Sequence, residues 1–340
     1  MKFFITGGAG FIGCNSAEYF LNQGHAVTVF DNLSRPGTEK NLAWLRGLNS
    51  AENLHFIQGD IRNYDALCAS IGGSDVVLHL AGQVAVTTSV VNPREDFEIN
   101  ALGTFNVLEA VRNHCPDAIV INASTNKVYG GMESVQIVEQ EDQYAYADYP
   151  CGIPETFPLD FHSPYGCSKG AADQYALDYA RIYGLKTVSL RQSCIYGSRQ
   201  FGIEDQGWVA HFVIAVVKNR PISIYGDGKQ VRDVLHISDL IQAYEAAIAN
   251  IGTISGQAFN IGGGSTNTLS IWSQFGPILE TLVGKPIPVQ LGDWRPGDQH
   301  VFVADIRKAH EVLGWKPDVS PHEGIAKLYE WVSANPDLFD

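Results

Sequence analysis

A chain of 340 residues, 45% hydrophobic and 18% charged, can bury a full core and has the composition of an ordinary globular protein of two domains, or of one large domain with a lobe. Its 23 Lys and Arg stand against 37 Asp and Glu, a net charge of −14, which argues against a nucleic-acid partner and leaves any anionic ligand to a few local cations. Six scattered Cys without a CxxC pair and ten His without an HExxH spacing give no support to a disulfide framework or a metal site. With no apolar run of membrane-spanning length and no signal-like start, the expectation is a cytoplasmic protein without a membrane partner.

The first apolar run, Lys2 to Thr6, predicts a strand, followed by Gly7-Gly8-Ala9-Gly10-Phe11-Ile12-Gly13 and a helix to about Gln23. In that setting Gly7 permits a tight turn, Gly10 lets a pyrophosphate reach the backbone, and Gly13 lets helix and strand approach. The N–H groups of the helix start, at Phe11, Ile12 and Gly13, face the phosphates. The spacing is Gly-x-x-Gly-x-x-Gly rather than Gly-x-Gly-x-x-Gly, so the context carries the reading. A second strand, Ala26 to Phe30, ends in Asp31, 18 residues after Gly13. A carboxylate there accepts the hydroxyls of an adenosine ribose and repels a 2′-phosphate, which favours NAD as cofactor. Asn32 and Ser34 extend this edge, and Arg35 keeps NADP open. A third strand, His55 to Gln58, leads to Asp60 and Ile61; Asp60 either reaches the adenine amino group or caps the helix beginning at Asn63.

The fourth strand, Val76 to Leu80, runs into Ala81, Gly82 and Gln83, where small residues let cofactor and backbone come close. A long helix is expected from Asn92-Pro93 to about His114. Asn100 within it disturbs the ladder, and either holds a water, positions Lys169 or faces a polar pocket. The fifth strand, Ala118 to Asn122, delivers Ser124-Thr125-Asn126-Lys127. The sixth, Lys186 to Leu190, delivers Arg191-Gln192-Ser193. Polar stretches thus follow the carboxyl ends of successive strands, where open parallel sheets bind ligands. The alternation predicts an α/β fold, a Rossmann-type doubly wound parallel sheet.

Between those last two strands lies His162-Ser163-Pro164-Tyr165-Gly166-Cys167-Ser168-Lys169. Ser163 can cap a helix and Pro164 suits its first turn. Tyr165 and Lys169, four apart, then share a face. An ammonium beside a phenol favours the phenolate and is expected to pull its pKa toward working pH, giving a general acid/base for an alcohol.

After Gln192 the pattern loosens into a smaller C-terminal α/β substrate lobe. Helices are expected over 207–218, 238–250, 269–283 and 305–313, with strands near Ile222 and over 257–261. Arg232 and Arg295 are the lobe's anion clamps, because guanidinium pairs bidentately with phosphate. The alternative for each is a surface salt bridge, to Asp233 and Asp298. The expected division is 1–191 plus about 232–262 for the NAD-binding domain, with 192–231 and 263–340 for the substrate lobe.

The glycine fingerprint, Thr125 and Tyr165-x-x-x-Lys169 together resemble the extended short-chain dehydrogenase/reductase family of nucleotide-sugar enzymes, over nearly the whole chain. Longer runs are most similar to its carbon-2 epimerases of CDP-linked deoxysugars: 124–130, 159–169, Asp205-Gln206-Gly207-Trp208-Val209, and Gly228-Lys229-Gln230-Val231-Arg232-Asp233-Val234-Leu235-His236. The resemblance implies that Tyr165 takes a proton from a sugar hydroxyl while hydride passes to NAD, and that a 2-keto sugar is then reduced on its other face. It also implies that Thr125 binds the reacting oxygen and Lys169 the nicotinamide ribose. Leu80, Ala81, Gly82 and Asn100 join the cofactor site. Gln83, Asn126, Lys127, Gln192, Gln206, Val209, Arg232, Arg295 and Asp298 join the site for a nucleotide-diphosphate sugar. Related 4,6-dehydratases carry Thr-Asp-Glu where this chain has Thr125-Asn126-Lys127, so dehydration is disfavoured. Epimerisation of GDP-mannose, CDP-glucose or a UDP-sugar at carbon 4, and an NAD-binding sensor without turnover, are the alternatives. A homodimer or higher homo-oligomer, joined through helices 92–114 and 163–183, is expected.

Overall fold

The computed structural model describes every residue except 205 and 295–297. In chain order the elements are β1 (Lys2–Thr6), α1 (Phe11–Asn22), β2 (Ala26–Asp31), α2 (Thr38–Arg46), β3 (Leu54–Gln58), α3 (Tyr64–Ile71), β4 (Val76–His79), α4 (Val86–Val91), α5 (Pro93–Phe97), α6 (Gly103–His114) and β5 (Ile119–Thr125). There follow β6 (Ile137–Glu139), β7 (Tyr144–Tyr146), α7 (Ser163–Tyr183), β8 (Lys186–Gln192), β9 (Cys194–Tyr196), α8 (Trp208–Val217), β10 (Ile222–Tyr225), β11 (Val231–His236), α9 (Ile237–Ile254) and β12 (Gln257–Ile261). The last elements are β13 (Thr268–Ser270), α10 (Phe275–Val283), β14 (Val289–Gly292), β15 (Val301–Phe302), α11 (Arg307–Leu313) and α12 (Pro321–Ala334).

Seven strands form one parallel sheet in the order β12-β8-β5-β4-β1-β2-β3, the expected doubly wound arrangement. β1 pairs with β2 on one side and β4 on the other, so the strand order reverses there and a crevice opens at the carboxyl ends. Val76, Val77 and Leu78 are wholly buried, as an apolar strand covered on both faces must be. On one face Phe4, Val77 and Val120 pack with Leu67 and Ile71 of α3 and Val107 and Val111 of α6.

The chain divides into two compact units: Met1–Val128, Phe161–Arg191 and Ile241–Phe259 in the first, Tyr129–Asp160, Gln192–Leu240 and Asn260–Asp340 in the second. The second centres on β11, which pairs with β9, β13 and β15, and on a core including Val213, Phe275, Leu279, Leu328 and Val332. The boundaries depart from the expected ones. Residues 129–160 join the second unit because Tyr144 N–H donates to Lys229 O (3.1 Å), Tyr146 Oη donates to Val301 O (3.0 Å) and Ile153 bridges to Ala304. Residues 232–240 follow because β11 is that unit's central strand.

Three local expectations change. The helix anticipated from Leu269 starts at Phe275, since Thr268–Ser270 pairs with β11 and Ser270 and Gln274 cap each other (Gln274 N–H to Ser270 Oγ 2.8 Å, Ser270 N–H to Gln274 Oε1 3.0 Å). The helix from residue 92 to 114 is broken into α5 and α6 by a π turn over Glu98–Leu102, around Asn100. α12 was not anticipated, although Ser320-Pro321-x-Glu323 spells its start and Ser320 Oγ accepts Glu323 N–H (3.3 Å).

Candidate active site

On the sheet unit, Gly7 has φ +68°, and a Cβ there would lie 2.7 Å from Ala81 N; one on Gly13 would lie 2.2 Å from Gly7 O. These two glycines let the β1–α1 turn close against the end of β4. Gly10 is the looser position, with only Gly7 O within 3.1 Å of a built Cβ. No side chain caps α1, which leaves the first-turn N–H groups of a 12-residue helix for an anion. Asp31 is buried, its Oδ2 accepting Ala9 N–H (3.0 Å) and its Oδ1 accepting Leu33 N–H (2.8 Å). Burial raises its pKa, while those bonds and the Arg35 guanidinium hold it down. An uncapped helix start, a glycine turn without side chains and a carboxylate at the end of β2 fit a dinucleotide.

The neighbouring candidates have defined partners. Asn32 donates to Asp60 (2.9 Å), and Ser34 N–H donates to Asn32 Oδ1 (3.0 Å). Asp60 does not cap the next helix: Asn63 does, accepting Ala66 N–H at 3.1 Å. Asp60 instead holds Arg62 at 2.7 Å, and that guanidinium pulls its pKa down to about 2. Ile61 is core, its Cδ1 2.5 Å from where a Cβ on Gly103 would stand. Leu80 and Ala81 N–H both donate to Thr6 Oγ1 (3.2 Å), and Gly82 passes Asn100 Oδ1 closely, 3.0 Å from a built Cβ. Asn100 clamps the Gln83 peptide: Oδ1 accepts Gln83 N–H and Nδ2 donates to Gln83 O, each at 3.0 Å.

α7 begins as its sequence predicts, with Ser163 Oγ accepting Gly166 N–H (3.2 Å) and Pro164 in the first turn. Ser163 itself has φ +63°, a left-handed conformation two residues before Tyr165. β5 and β8 run further than anticipated, which places Thr125 and Gln192 on the strands themselves. Tyr165, Lys169 and Thr125 are all buried, and the Thr125 hydroxyl acts to lower the phenol's pKa. One expectation is corrected here. Lys169 does not bring the phenol's pKa down: burial pushes it up to about 12, with Thr125 and Arg35 opposing and Asp96 adding to the rise. Lys169 Nζ donates to Ala123 O (2.5 Å), and burial lowers its own pKa to about 8, against the carboxylates of Asp173 and Asp96. Each group, removed from water, shifts toward its neutral form, and the neighbouring groups do not offset that.

Asn126 accepts from Thr125 Oγ1 (3.2 Å), and Lys127 N–H donates to the same hydroxyl (3.3 Å). The Gln83 amide donates to Ala85 O (2.8 Å) and Asp96 Oδ1 (3.0 Å), so it is committed to its own loop. In the second unit, Arg232 is buried and donates to Asp298 Oδ1 and Val231 O, both at 2.8 Å. Its salt bridge is thus with Asp298 and not with Asp233, whose carboxylate accepts Ser193 Oγ (3.0 Å) and Gly264 N–H (3.3 Å). Gln192 and Val209 are buried in that unit and Gln206 exchanges backbone bonds with Ile203. Arg295 lies outside the described residues, as does Asp205.

Sequence reasoning passed over several buried polar groups of the sheet unit. Asp173 lies one turn beyond Lys169, paired with Arg191 (2.9 Å) and Ser189 Oγ (2.6 Å). His79, its pKa lowered by burial to about 3, is held between Thr6 Oγ1 (2.8 Å) and Thr104 Oγ1 (2.9 Å). Ser89 Oγ accepts Tyr165 N–H (3.2 Å). The four-residue step from Lys169 to Asp173 was the available signal for the first; the others have none in the sequence.

A crevice at the strand reversal with a buried Tyr, Lys and Thr is the arrangement of a dinucleotide-linked enzyme acting on a hydroxyl. Residues 4–328 match the model of the family described as GDP-mannose 4,6 dehydratase, and the chain belongs to that family, an extended short-chain dehydrogenase/reductase group. Among relatives it is 50% identical to the CDP-paratose 2-epimerase of Salmonella typhi, over 98% of this chain and 100% of that protein. It also superposes on a crystal structure of the dTDP-glucose 4,6-dehydratase DesIV from Streptomyces venezuelae with NAD bound (TM-score 0.85, 27% identity, 100% and 99% of the two chains). Thermotoga maritima UDP-glucose 4-epimerase with UDP-glucose gives TM-score 0.83 at 30% identity over 98% and 99%. No helix among the described residues is long and apolar enough to cross a membrane.

Proposed function

We propose that this enzyme inverts carbon 2 of a nucleotide sugar, converting CDP-paratose to CDP-tyvelose or the reverse, with NAD as a tightly held cofactor. The observation that carries this reading is the 50% identity to a CDP-paratose 2-epimerase along both whole chains. The residues support it against the family model's own name. Dehydration needs an acid and a base beside the reacting carbon, and Asn126 and Lys127 do not form such a carboxyl pair. Epimerisation of UDP-sugars at carbon 4 is the second reading, favoured by the fold match to a UDP-glucose 4-epimerase.

NAD, when bound, supplies the acceptor and donor of a hydride. Gly7, Gly10, Gly13 and the start of α1 would hold its pyrophosphate and Asp31 its adenosine ribose. Thr125 holds the reacting oxygen and Tyr165 takes its proton, returning it after the 2-keto sugar has turned its other face. Lys169, its Nζ held on Ala123 O, would bind the nicotinamide ribose, and being fixed in a buried site it needs no reorganisation. Arg232, buried beside Asp298, is the proposed ligand of the sugar diphosphate.

Purified enzyme should interconvert CDP-paratose and CDP-tyvelose in preference to GDP-, ADP- and UDP-sugars, read by product stereochemistry. In heavy water the product should carry no deuterium at carbon 2, because the hydride is recycled. Deuterium there would mean abstraction of a proton from carbon and would overturn the mechanism; inversion of UDP-sugars alone would favour the second reading.

A further inference from the structure

The short helix α4 buries a serine and exposes its last two valines. Its sequence is Val-Thr-Thr-Ser-Val-Val, from which an amphipathic helix would turn the valines inward. Ser89 is instead its buried residue, at 0% exposure, while Val90 and Val91 stand 63% and 86% exposed. Two bonds account for this. The Ser89 hydroxyl donates to Val86 O (2.7 Å), which commits its proton and leaves the oxygen as an acceptor. That oxygen accepts the Tyr165 N–H of α7 at 3.2 Å.

The start of α7 shows why an acceptor is needed there. The first turn of a helix has N–H groups with no partner inside the helix, and buried ones must be met from elsewhere. Pro164 has no N–H, Gly166 donates to Ser163 Oγ (3.2 Å), and the His162 side chain does not cap the turn. Tyr165 is met from 76 positions earlier in the chain. Ser163 meanwhile has φ +63°, a conformation a serine keeps only where its surroundings impose it. The supporting helix is itself anchored. Ala85 O accepts both Ser89 N–H (3.1 Å) and Gln83 Nε2 (2.8 Å), and Asn100 holds the Gln83 peptide. A line of hydrogen bonds thus runs from the π turn through Gln83 and α4 to the backbone of Tyr165.

We propose that Ser89 is a positioning residue for Tyr165: by holding its N–H it fixes the first turn of α7, and with it the point from which the phenol reaches the substrate hydroxyl. This rests on the acid/base role proposed for that phenol. Without the acceptor a buried N–H is stranded, and the turn relaxes toward another partner. The phenol moves with its backbone, and a displacement of about 1 Å costs a reacting group up to about 10²-fold in rate. The residues proposed to hold the NAD pyrophosphate and adenosine ribose lie on β1, α1 and β2, so the loss falls on kcat and not on cofactor content.

The test is Ser89→Ala, with Ser89→Cys, a poorer acceptor of similar size, should the first fail to fold. Each is made in the parent and in Tyr165→Phe. In the parent, kcat on CDP-paratose should fall about 10–100-fold, with KM and bound NAD at parent levels. In Tyr165→Phe the same change should leave the residual kcat unaltered, because the group being positioned is gone. Deuterium exchange at the Tyr165 amide should quicken in Ser89→Ala. Parent-level kcat, an equal fold loss in both backgrounds, or unchanged exchange at that amide each overturns the proposal. Full turnover by Tyr165→Phe would sink the acid/base reading on which it rests; that result is read without any change at Ser89, so the two failures are distinct.

Discussion

The Tyr165 phenol has to release a proton in surroundings that resist it. With its pKa pushed up to about 12 by burial, forming the phenolate near neutrality costs on the order of 7 kcal/mol. The groups placed to offset this are the Thr125 hydroxyl and the Arg35 guanidinium, with Lys169 one helical turn away. Replacing the phenol tests whether the site is organised around it. Tyr165→Phe should cut kcat by about 10²–10⁴, the usual contribution of a general acid/base, while NAD released on denaturation stays at the parent level. Retained turnover would remove Tyr165 from the chemistry, and lost cofactor would make its role structural. Position was readable in the sequence, because a spacing of four fixes a shared helical face. Proton affinity was not, because it depends on how much water the sheet and its neighbouring helices exclude.

Among the elements, the broken helix from Pro93 to His114 shows what one side chain can impose. Asn100 takes both polar groups of the Gln83 peptide, and the helix opens into a π turn where it does so. Asn100→Ala would strand buried donors and acceptors on that peptide, and should lower the unfolding free energy by about 1–3 kcal/mol, measured by urea denaturation. An unchanged midpoint with an unchanged slope would show that water replaces the amide. That an asparagine inside a helix disturbs it was legible beforehand; that it clamps the loop after β4 was not, since the partner is 17 residues away. The strands of the sheet were legible as apolar runs. The β6–β7 hairpin was not, because Ile137, Val138 and Glu139 are exposed and carry no burial-driven alternation.

For the molecule as a whole, assembly is the open property. Phe97, Leu102 and Phe105 on the broken helix and Tyr175, Ile182 and Tyr183 on α7 are exposed, an apolar surface of the kind a second copy of the chain would cover. Light scattering should give about twice the 37.1 kDa chain mass or a higher multiple, and Phe105→Glu with Ile182→Glu should reduce it to one chain. A parent protein of single-chain mass would refute the proposed pairing.

The sequence by itself determined the strands of the parallel sheet, the glycine turn, the Asp31 edge and the shared face of Tyr165 and Lys169, because each follows from local backbone preference or from a fixed period. Tertiary structure alone decided the rest. It chose Asp298 over Asp233 for Arg232, turned Lys169 toward Ala123, and left one oxygen of Asp96 buried without a hydrogen-bond partner. Charge pairing and desolvation depend on groups far apart in the chain, and no spacing rule encodes them.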